Sequence, residues 1–234
     1  MLASPFSDSL GGGQPLQIAD IGAGDRYFDN RLLAKSSILS ASANKDTITI
    51  FCVDLNYPIT EQPEKNIVLK TDITQLENEA FDCVFMMDVL EHVEDDSAFF
   101  KSALSKMKKG GILIATVPAF QSLFCSVDVF VKHFRRYGYA DFKRVCESEN
   151  TTLLRMHYFY FTLVLPRYIQ KKLNLVSLEN EKKHGVTGWP FGEKHFITHL
   201  IRLMLNADFA VLSALAKLKI RLPGLSLLAV IQKR

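Results

Sequence analysis

The chain has 234 residues, 48% of them hydrophobic, with 28 Lys and Arg against 25 Asp and Glu for a formal charge of +3. That apolar content and small net charge exclude a disordered chain, and the length supports one sizeable core without disulfide staples. The charge admits an acidic partner such as phosphate, a lipid head group or RNA without requiring one.

Residues 1–13 (MLASPFSDSLGGG) read as a flexible leader with no basic n-region and no apolar h-region, so no secretory signal is expected. Residues 14–234 read as a single domain. Leu16–Ile21 is a short buried strand ending at Gly22, and Asp29–Ser40 has helical spacing. Thr47–Val53, Asn66–Lys70, Phe81–Met87 and Ile112–Val117 are further apolar strands, ending at Asp54, Thr71-Asp72, Asp88 and Pro118. Ser97–Lys108 is an amphipathic helix closed by a Gly110-Gly111 stop. Pro118–Gly138 reads as a long loop of aromatics and bases, Ala140–Glu149 as a helix, and Thr152–Tyr160 as a sixth strand. Residues 161–220 form a helical insert, with Thr162–Leu173 and His195–Lys219 helical around a polar stretch. Ser226–Gln232 closes the chain's sheet as a seventh strand.

Near-continuous apolar strands alternating with helices predict an α/β fold with a doubly wound, mostly parallel seven-stranded sheet, Rossmann-like, and with the helical insert before its last strand. Ligands of such sheets bind outside the carboxyl ends of the strands. Three of the five residues at those ends are carboxylates, more than packing requires. Cys52, Cys83, Cys125 and Cys146 are scattered without a C-x-x-C pair, so neither a zinc site nor a disulfide framework is expected, and a reduced, cytoplasmic protein is.

Asp20-Ile21-Gly22-Ala23-Gly24 places two glycines at the turn after the first strand, where backbone can approach a ligand closely. Asp54 at the end of the second strand can accept the hydroxyls of a ribose, and Asp72-Ile73 sets an acceptor beside an apolar face. Asp72 could equally cap the turn that follows it. Asp88-Val89-Leu90-Glu91-His92-Val93 follows the fourth strand.

As a set these residues resemble the class I S-adenosylmethionine-dependent methyltransferases, and the L-E-H-V run resembles their small-molecule branch. The resemblance implies S-adenosyl-L-methionine as cofactor. It assigns the methionine part to Asp20, Gly22, Ala23 and Gly24, the ribose to Asp54 with Leu55 beside it, and the adenine to Asp72 and Ile73. Asp88, Val89 and Leu90 would line the sulfonium side. The third glycine of the motif is missing, since Asp25-Arg26 follows Gly24. The family's lid helices would precede Asp20, where this chain has 19 residues, so the loop 118–138, the insert or a second subunit is expected to cover the cofactor. Val117-Pro118-Ala119 followed by Asp128 and His133-Phe134-Arg135-Arg136-Tyr137 is similar to a bacterial subgroup whose fifth strand leads into the same pattern.

Methyl transfer to oxygen or nitrogen often needs a base. His133, oriented by Asp128, is the first candidate and His92 the second. The alternative for each is a structural histidine bonded to backbone. Glu91-His92 also resembles the metal-binding pair of some ubiquinone-pathway enzymes, but spacing reveals no further ligands, so no metal is expected. Arg135, Arg136 and Tyr137 are candidates for holding an anionic substrate, against the plainer reading that the arginines pair with nearby aspartates.

The expected activity is methyl transfer to an O or N nucleophile of a small, anionic or lipid-like molecule. A non-catalytic cofactor- or partner-binding module is the alternative. A nicotinamide-dependent oxidoreductase lacks its third glycine and its acid at the usual spacing. No nucleic-acid partner is expected. The apolar insert 161–220 points to packing, a homodimer, a hydrophobic tunnel or peripheral contact with the inner face of a membrane, while Arg202 and Asp208 argue against a bilayer span.

Overall fold

In a computed structural model, residues 15–35, 48–57, 65–173 and 195–234 are described. The leader, the end of the first expected helix and the polar centre of the insert lie outside them. Seven strands form one sheet: β1 (Leu16–Ile21), β2 (Ile48–Val53), β3 (Ile67–Lys70), β4 (Phe81–Met87), β5 (Met107–Pro118), β6 (Thr151–Phe159) and β7 (Ser226–Lys233). The order is β3-β2-β1-β4-β5-β7-β6, and β7 runs antiparallel to both its neighbours while the rest pair in parallel.

The strands are apolar on both faces because both are covered. On one face Ala19, Ile21, Val84, Met86 and Leu113 meet Phe100, Ala103 and Leu104 of α2 (Asp96–Lys106) and Phe142 of α4 (Tyr139–Cys146). On the other, Ile18, Ile50, Phe85 and Ile114 meet Leu33 of α1 (Tyr27–Ala34), with Phe28 edge-on to Phe85. Ile18 and Ile50 are wholly buried, each worth roughly 1.5–3 kcal/mol over an exposed position.

Two expectations need correction. Gly110-Gly111 does not stop α2, which ends at Lys106, and β5 has already begun at Met107. Instead Gly110 (φ +78) bends β5 where its register against β4 shifts between Phe81 and Cys83. A Cβ on Gly111 would stand 2.9 Å from the Lys108 carbonyl and 3.2 Å from that of Phe81, so the bend needs the bare backbone. The stretch 118–138 is not a plain loop either. It holds a 3-10 turn (Gln121–Leu123) and α3 (Ser126–Phe130), whose entry is closed by Cys125 N–H donating to Asp128 Oδ2 at 2.9 Å.

The insert contributes a 3-10 turn (Phe161–Leu163), α5 (Val164–Lys172) and α6 (Phe196–Lys217). By length and composition α6 could cross a membrane, with mean hydropathy 1.3 and 11% of its apolar window buried. It is fastened to the domain: Asp208 is buried and accepts from Thr162 N–H at 3.0 Å and Thr162 Oγ1 at 2.9 Å. Ser213 Oγ lies 3.0 Å from His157 Nε2 on β6, and burial brings the His157 imidazole down to about 4. We expect Asp208→Ala to cost about 1.5–3 kcal/mol in urea unfolding, the range for hydrogen bonds to a charged group, with Asp208→Asn costing less because it keeps an acceptor oxygen.

Candidate active site

The carboxyl ends of β1, β2, β3 and β4 border a cavity of about 650 Å³, lined by Ile21, Gly22, Val53, Asp54, Leu55, Asp72, Ile73, Asp88, Val89, His92, Val131, Lys132 and Phe134 among others. Gly22 (φ +80) is required here: a Cβ would meet Val89 Cγ2 at 2.5 Å. Gly22 and Ala23 N–H both donate to Val53 O, and Gly24 N–H donates to Asp54 Oδ2 at 3.2 Å. The turn is therefore tied to β2 through Asp54, whose Oδ1 also accepts from Asn56 N–H at 2.9 Å. A carboxylate has about four lone-pair sites, so Asp54 keeps acceptor capacity toward the cavity. Leu55 is 83% exposed beside it.

Asp72 has the capping role read from sequence. Its Oδ1 accepts from Thr74 N–H at 2.7 Å and Thr74 Oγ1 at 2.6 Å, capping the 3-10 turn Ile73–Gln75, and these bonds lower its pKa. The carboxylate still borders the cavity beside buried Ile73. Asp88 adopts φ +54, unusual without glycine. Its N–H donates to Thr116 O at 3.0 Å, and Thr116 Oγ1 donates to Asp88 Oδ1 at 3.2 Å. Asp88 is open to the cavity but ringed by protein, and this desolvation raises its pKa against the opposing pull of Thr116, His133 and Arg136.

Asp20 does not reach the cavity lining. Its side chain lies on the other face of β1, buried against Asp29 of α1. Burial first, and then the Asp29 charge, push its pKa well above the carboxylate range. Asp29 also accepts from Cys52 Sγ at 3.3 Å. Two carboxyls in one dry pocket cannot both ionise, so the pair retains a proton. Asp29 carried no motif in the sequence and is found only through the fold.

The segment 126–137 packs against the 3-10 turn Leu90–His92 and makes one wall of the cavity. Phe134 N–H donates to Glu91 O at 2.7 Å, and Val131, Lys132 and Phe134 reach the cavity. Asp128 organises the segment: Oδ1 receives His133 Nδ1 at 3.1 Å and Arg136 Nε at 2.7 Å, and Arg167 Nη2 of α5 stands 3.6 Å from Oδ2. Burial would raise the Asp128 pKa. Bonds from His133 and Arg136 and the Arg136 charge outweigh that and hold it well below the usual range.

The substrate role expected of Arg135, Arg136 and Tyr137 gives way to a fastening role. Arg135 binds Asp96 Oδ2 at 2.9 Å and Glu94 O at 2.6 Å. Arg136 is spent on Asp128 and, at 3.4 Å, on Ala119 O. Tyr137 is 2% exposed and donates to Asp96 Oδ2 at 2.8 Å.

His92 borders the cavity, and His133 stands behind it, the rings edge to face with centroids 4.5 Å apart. Burial and the His133 charge lower the His92 pKa, while its bonds to the backbone of Lys132 and Val131 oppose the shift and orient the ring. Glu91 is fully buried, with neither carboxyl oxygen hydrogen-bonded and Oε1 3.9 Å from His133 Nε2. Desolvation, then the charge of Asp88, raises its pKa to about 9. Glu91, His92 and His133 each place one donor atom within 4.8 Å of the others; His133 is the third donor that sequence spacing hid.

Residues 20–115 match a family model described as a methyltransferase domain, a stretch running from the end of β1 into β5 and containing every strand-end residue of the cavity. Those residues carry a methyltransferase domain, and the seven-stranded sheet they belong to has the fold of solved class I methyltransferases. Methyl transfer is the chemistry of this domain and S-adenosylmethionine its cofactor. Solved methyltransferase structures share its fold at low identity. One from Mesorhizobium loti is 12% identical, with 94% of this chain and 92% of that chain covered and a TM-score of 0.54. One from Archaeoglobus fulgidus is 18% identical, with 94% and 86% covered and a TM-score of 0.52. Phosphoethanolamine N-methyltransferase 2 from Haemonchus contortus, solved with S-adenosyl-L-methionine, is 14% identical, with 95% and 50% covered and a TM-score of 0.50. No curated protein matches by sequence. The methyltransferase cavity suits this cofactor on two structural counts: bare backbone at Gly22, and an acceptor carboxylate, Asp54, at the rim.

Glu91 gives a pH signature. The folded protein keeps its proton up to about 9, whereas the unfolded chain loses it near 4.5. Stability therefore falls as pH rises between those values, by on the order of 3 kcal/mol at pH 7. Glu91→Gln should melt higher than wild type at pH 8, and the two curves should converge toward pH 4.5; a gain independent of pH would contradict this. Gly22→Ala should abolish cofactor binding in calorimetry through the Val89 clash.

Proposed function

We propose that this methyltransferase transfers the methyl group to an oxygen or nitrogen of a small molecule with an anionic or lipid-like part. The observation that carries the reading is the placement of His92 on the cofactor cavity with His133 and Asp128 behind it. The cofactor supplies an electrophilic methyl group, so the residues must hold, align and desolvate the reactants. Gly22 and Gly24 would cradle its methionine part, Asp54 its ribose, and Ile73 with Asp72 its adenine.

The roles of the two histidines exchange relative to the sequence expectation. His92 faces the cavity and is neutral at physiological pH, since its pKa is lowered from 6.5. A neutral imidazole with one nitrogen held by the Val131–Lys132 backbone has its other nitrogen as an acceptor. It can take the proton that an oxygen or nitrogen nucleophile releases. His133, held by Asp128, packs edge-on against the His92 ring and so positions it.

A lipid-like acceptor draws support from a second, apolar cavity of about 500 Å³ lined by Phe120, Leu123, Phe161, Leu165 and Tyr168. It is linked to the segment that walls the first through Phe120, whose N–H donates to Tyr137 O at 3.0 Å. The Haemonchus structure, of a phosphoethanolamine methyltransferase, is an example of the fold serving an anionic substrate.

Calorimetry with S-adenosylhomocysteine tests the cofactor half: Asp54→Ala should weaken binding by roughly ten- to a hundredfold, the value of a charged hydrogen bond or two. Labelled S-adenosylmethionine incubated with phosphate- and carboxylate-bearing amphiphiles tests the acceptor half. Label should move to one of them, and His92→Gln should lower kcat by about a hundredfold or more while cofactor affinity holds. Transfer only to non-amphiphilic acceptors would sink the lipid-like reading, and an unchanged kcat would remove His92 as base.

A further inference from the structure

Helix α6 buries little of what it could. Its packed side is the stripe containing Asp208 and Leu212, turned to β6 and the Phe161–Leu163 turn. A second stripe, Leu200, Leu203, Ala207, Val211, Ala214 and Leu218, recurs every three or four residues and is exposed along its whole length. Val211 is 56% and Leu203 56% exposed, values normal for isolated surface residues but not for a continuous row. Helix α5, packed on the same 3-10 turn, adds exposed Leu165, Tyr168 and Ile169.

Among the described residues of this segment the exposed charges are of one sign. Residues 161–225 hold ten Lys and Arg against four Asp and Glu, although the whole chain has 28 against 25. Among the described residues of that segment Asp208 is the sole acid, and it is buried on Thr162. Lys172, Arg202, Lys217 and Lys219 are exposed. An apolar stripe bordered by basic residues matches an anionic lipid surface, with hydrocarbon meeting the stripe and head groups meeting the cations.

We propose that α5 and α6 seat the protein on an anionic bilayer, with α6 lying in the plane of the interface. Asp208 decides between lying and crossing. It sits near the middle of α6 and is bonded to the backbone and side chain of Thr162, so the helix cannot leave the domain to span a membrane without breaking that pair. Arg167 and Lys171 of α5 join this surface to the active-site wall, Arg167 through Asp128 and Cys125 Sγ and Lys171 through the Ser122 carbonyl. The inference does not depend on methyl transfer.

Co-sedimentation of the full chain with vesicles tests it. Binding should be strong to phosphatidylcholine vesicles containing a quarter phosphatidylglycerol, at least tenfold weaker to phosphatidylcholine alone, and weakened by salt. L203E/V211E should lower binding to the mixed vesicles by tenfold or more. K217E/K219E should lower it by roughly fivefold per charge or more. Circular-dichroism melting and S-adenosylhomocysteine calorimetry of each variant verify that the fold and the cofactor site persist. Absence of binding to either vesicle, equal binding to both, or wild-type binding by folded L203E/V211E would overturn the proposal. So would a stable dimer in solution that L203E/V211E dissociates while neither protein binds vesicles, since the stripe would then belong to a second copy. Cofactor binding with no vesicle binding would sink this inference and leave the methyltransferase assignment intact.

Discussion

The Asp128 carboxylate holds the active-site wall in place. It is 1% exposed, and a buried charge is tolerated only when partners replace the water it loses. Here they come from four places in the chain: the Cys125 N–H, His133, Arg136 and Arg167. Each partner fixes a different element. Cys125 starts α3, His133 backs His92, Arg136 turns the segment toward Ala119, and Arg167 brings in α5. A second carboxylate, Asp96 at the start of α2, does the same for Arg135 and Tyr137. The wall of the cavity is in effect laced by two acids, and the cations that look like substrate ligands are the laces.

The acids of this domain divide by the direction in which the backbone turns them. Asp54 and Asp72 come after their strands have ended, so their oxygens meet N–H groups of turns and the open cavity. Asp20 is still within β1, where alternation sends it to the opposite face and against Asp29. Glu91 lies in the 3-10 turn but is directed inward, where nothing hydrogen-bonds it. Three environments therefore act differently on one type of group: bonds from Thr74 lower the Asp72 pKa at the rim, the Asp20–Asp29 pair retains a proton, and desolvation raises Glu91 to about 9.

Much of this could be read from sequence. Both ends of β1 and β4 follow from apolar runs bounded by turn residues, and the strand-end carboxylates followed from the same pattern. The reading failed where the deciding partner is distant in sequence. Asp96 meets Arg135 across 39 positions and Arg167 meets Cys125 across 42, so no local spacing announces that these arginines are occupied. Gly110-Gly111 satisfied a helix-stop rule, yet the close carbonyls of Phe81 and Asp82 made it a strand bend. His133 and His92 were each visible singly; their order from the cavity depends on how the segment folds back.

The position of β7 bears on how the chain acquires its shape. β5 and β6 are neither paired with each other nor complete until residues 226–233 slide between them, with Ile112 opposite Gln232 and Thr152 opposite the same residue. Until then two strand edges stand open, and the helix carrying the insert's apolar stripe has already been made. Long-range closure of this kind is slow and exposes sticky surface while it waits. Until β7 is in place the open edges and the apolar stripe of α6 are exposed together, which makes that closing step the one at which this chain most needs a chaperone or a membrane nearby.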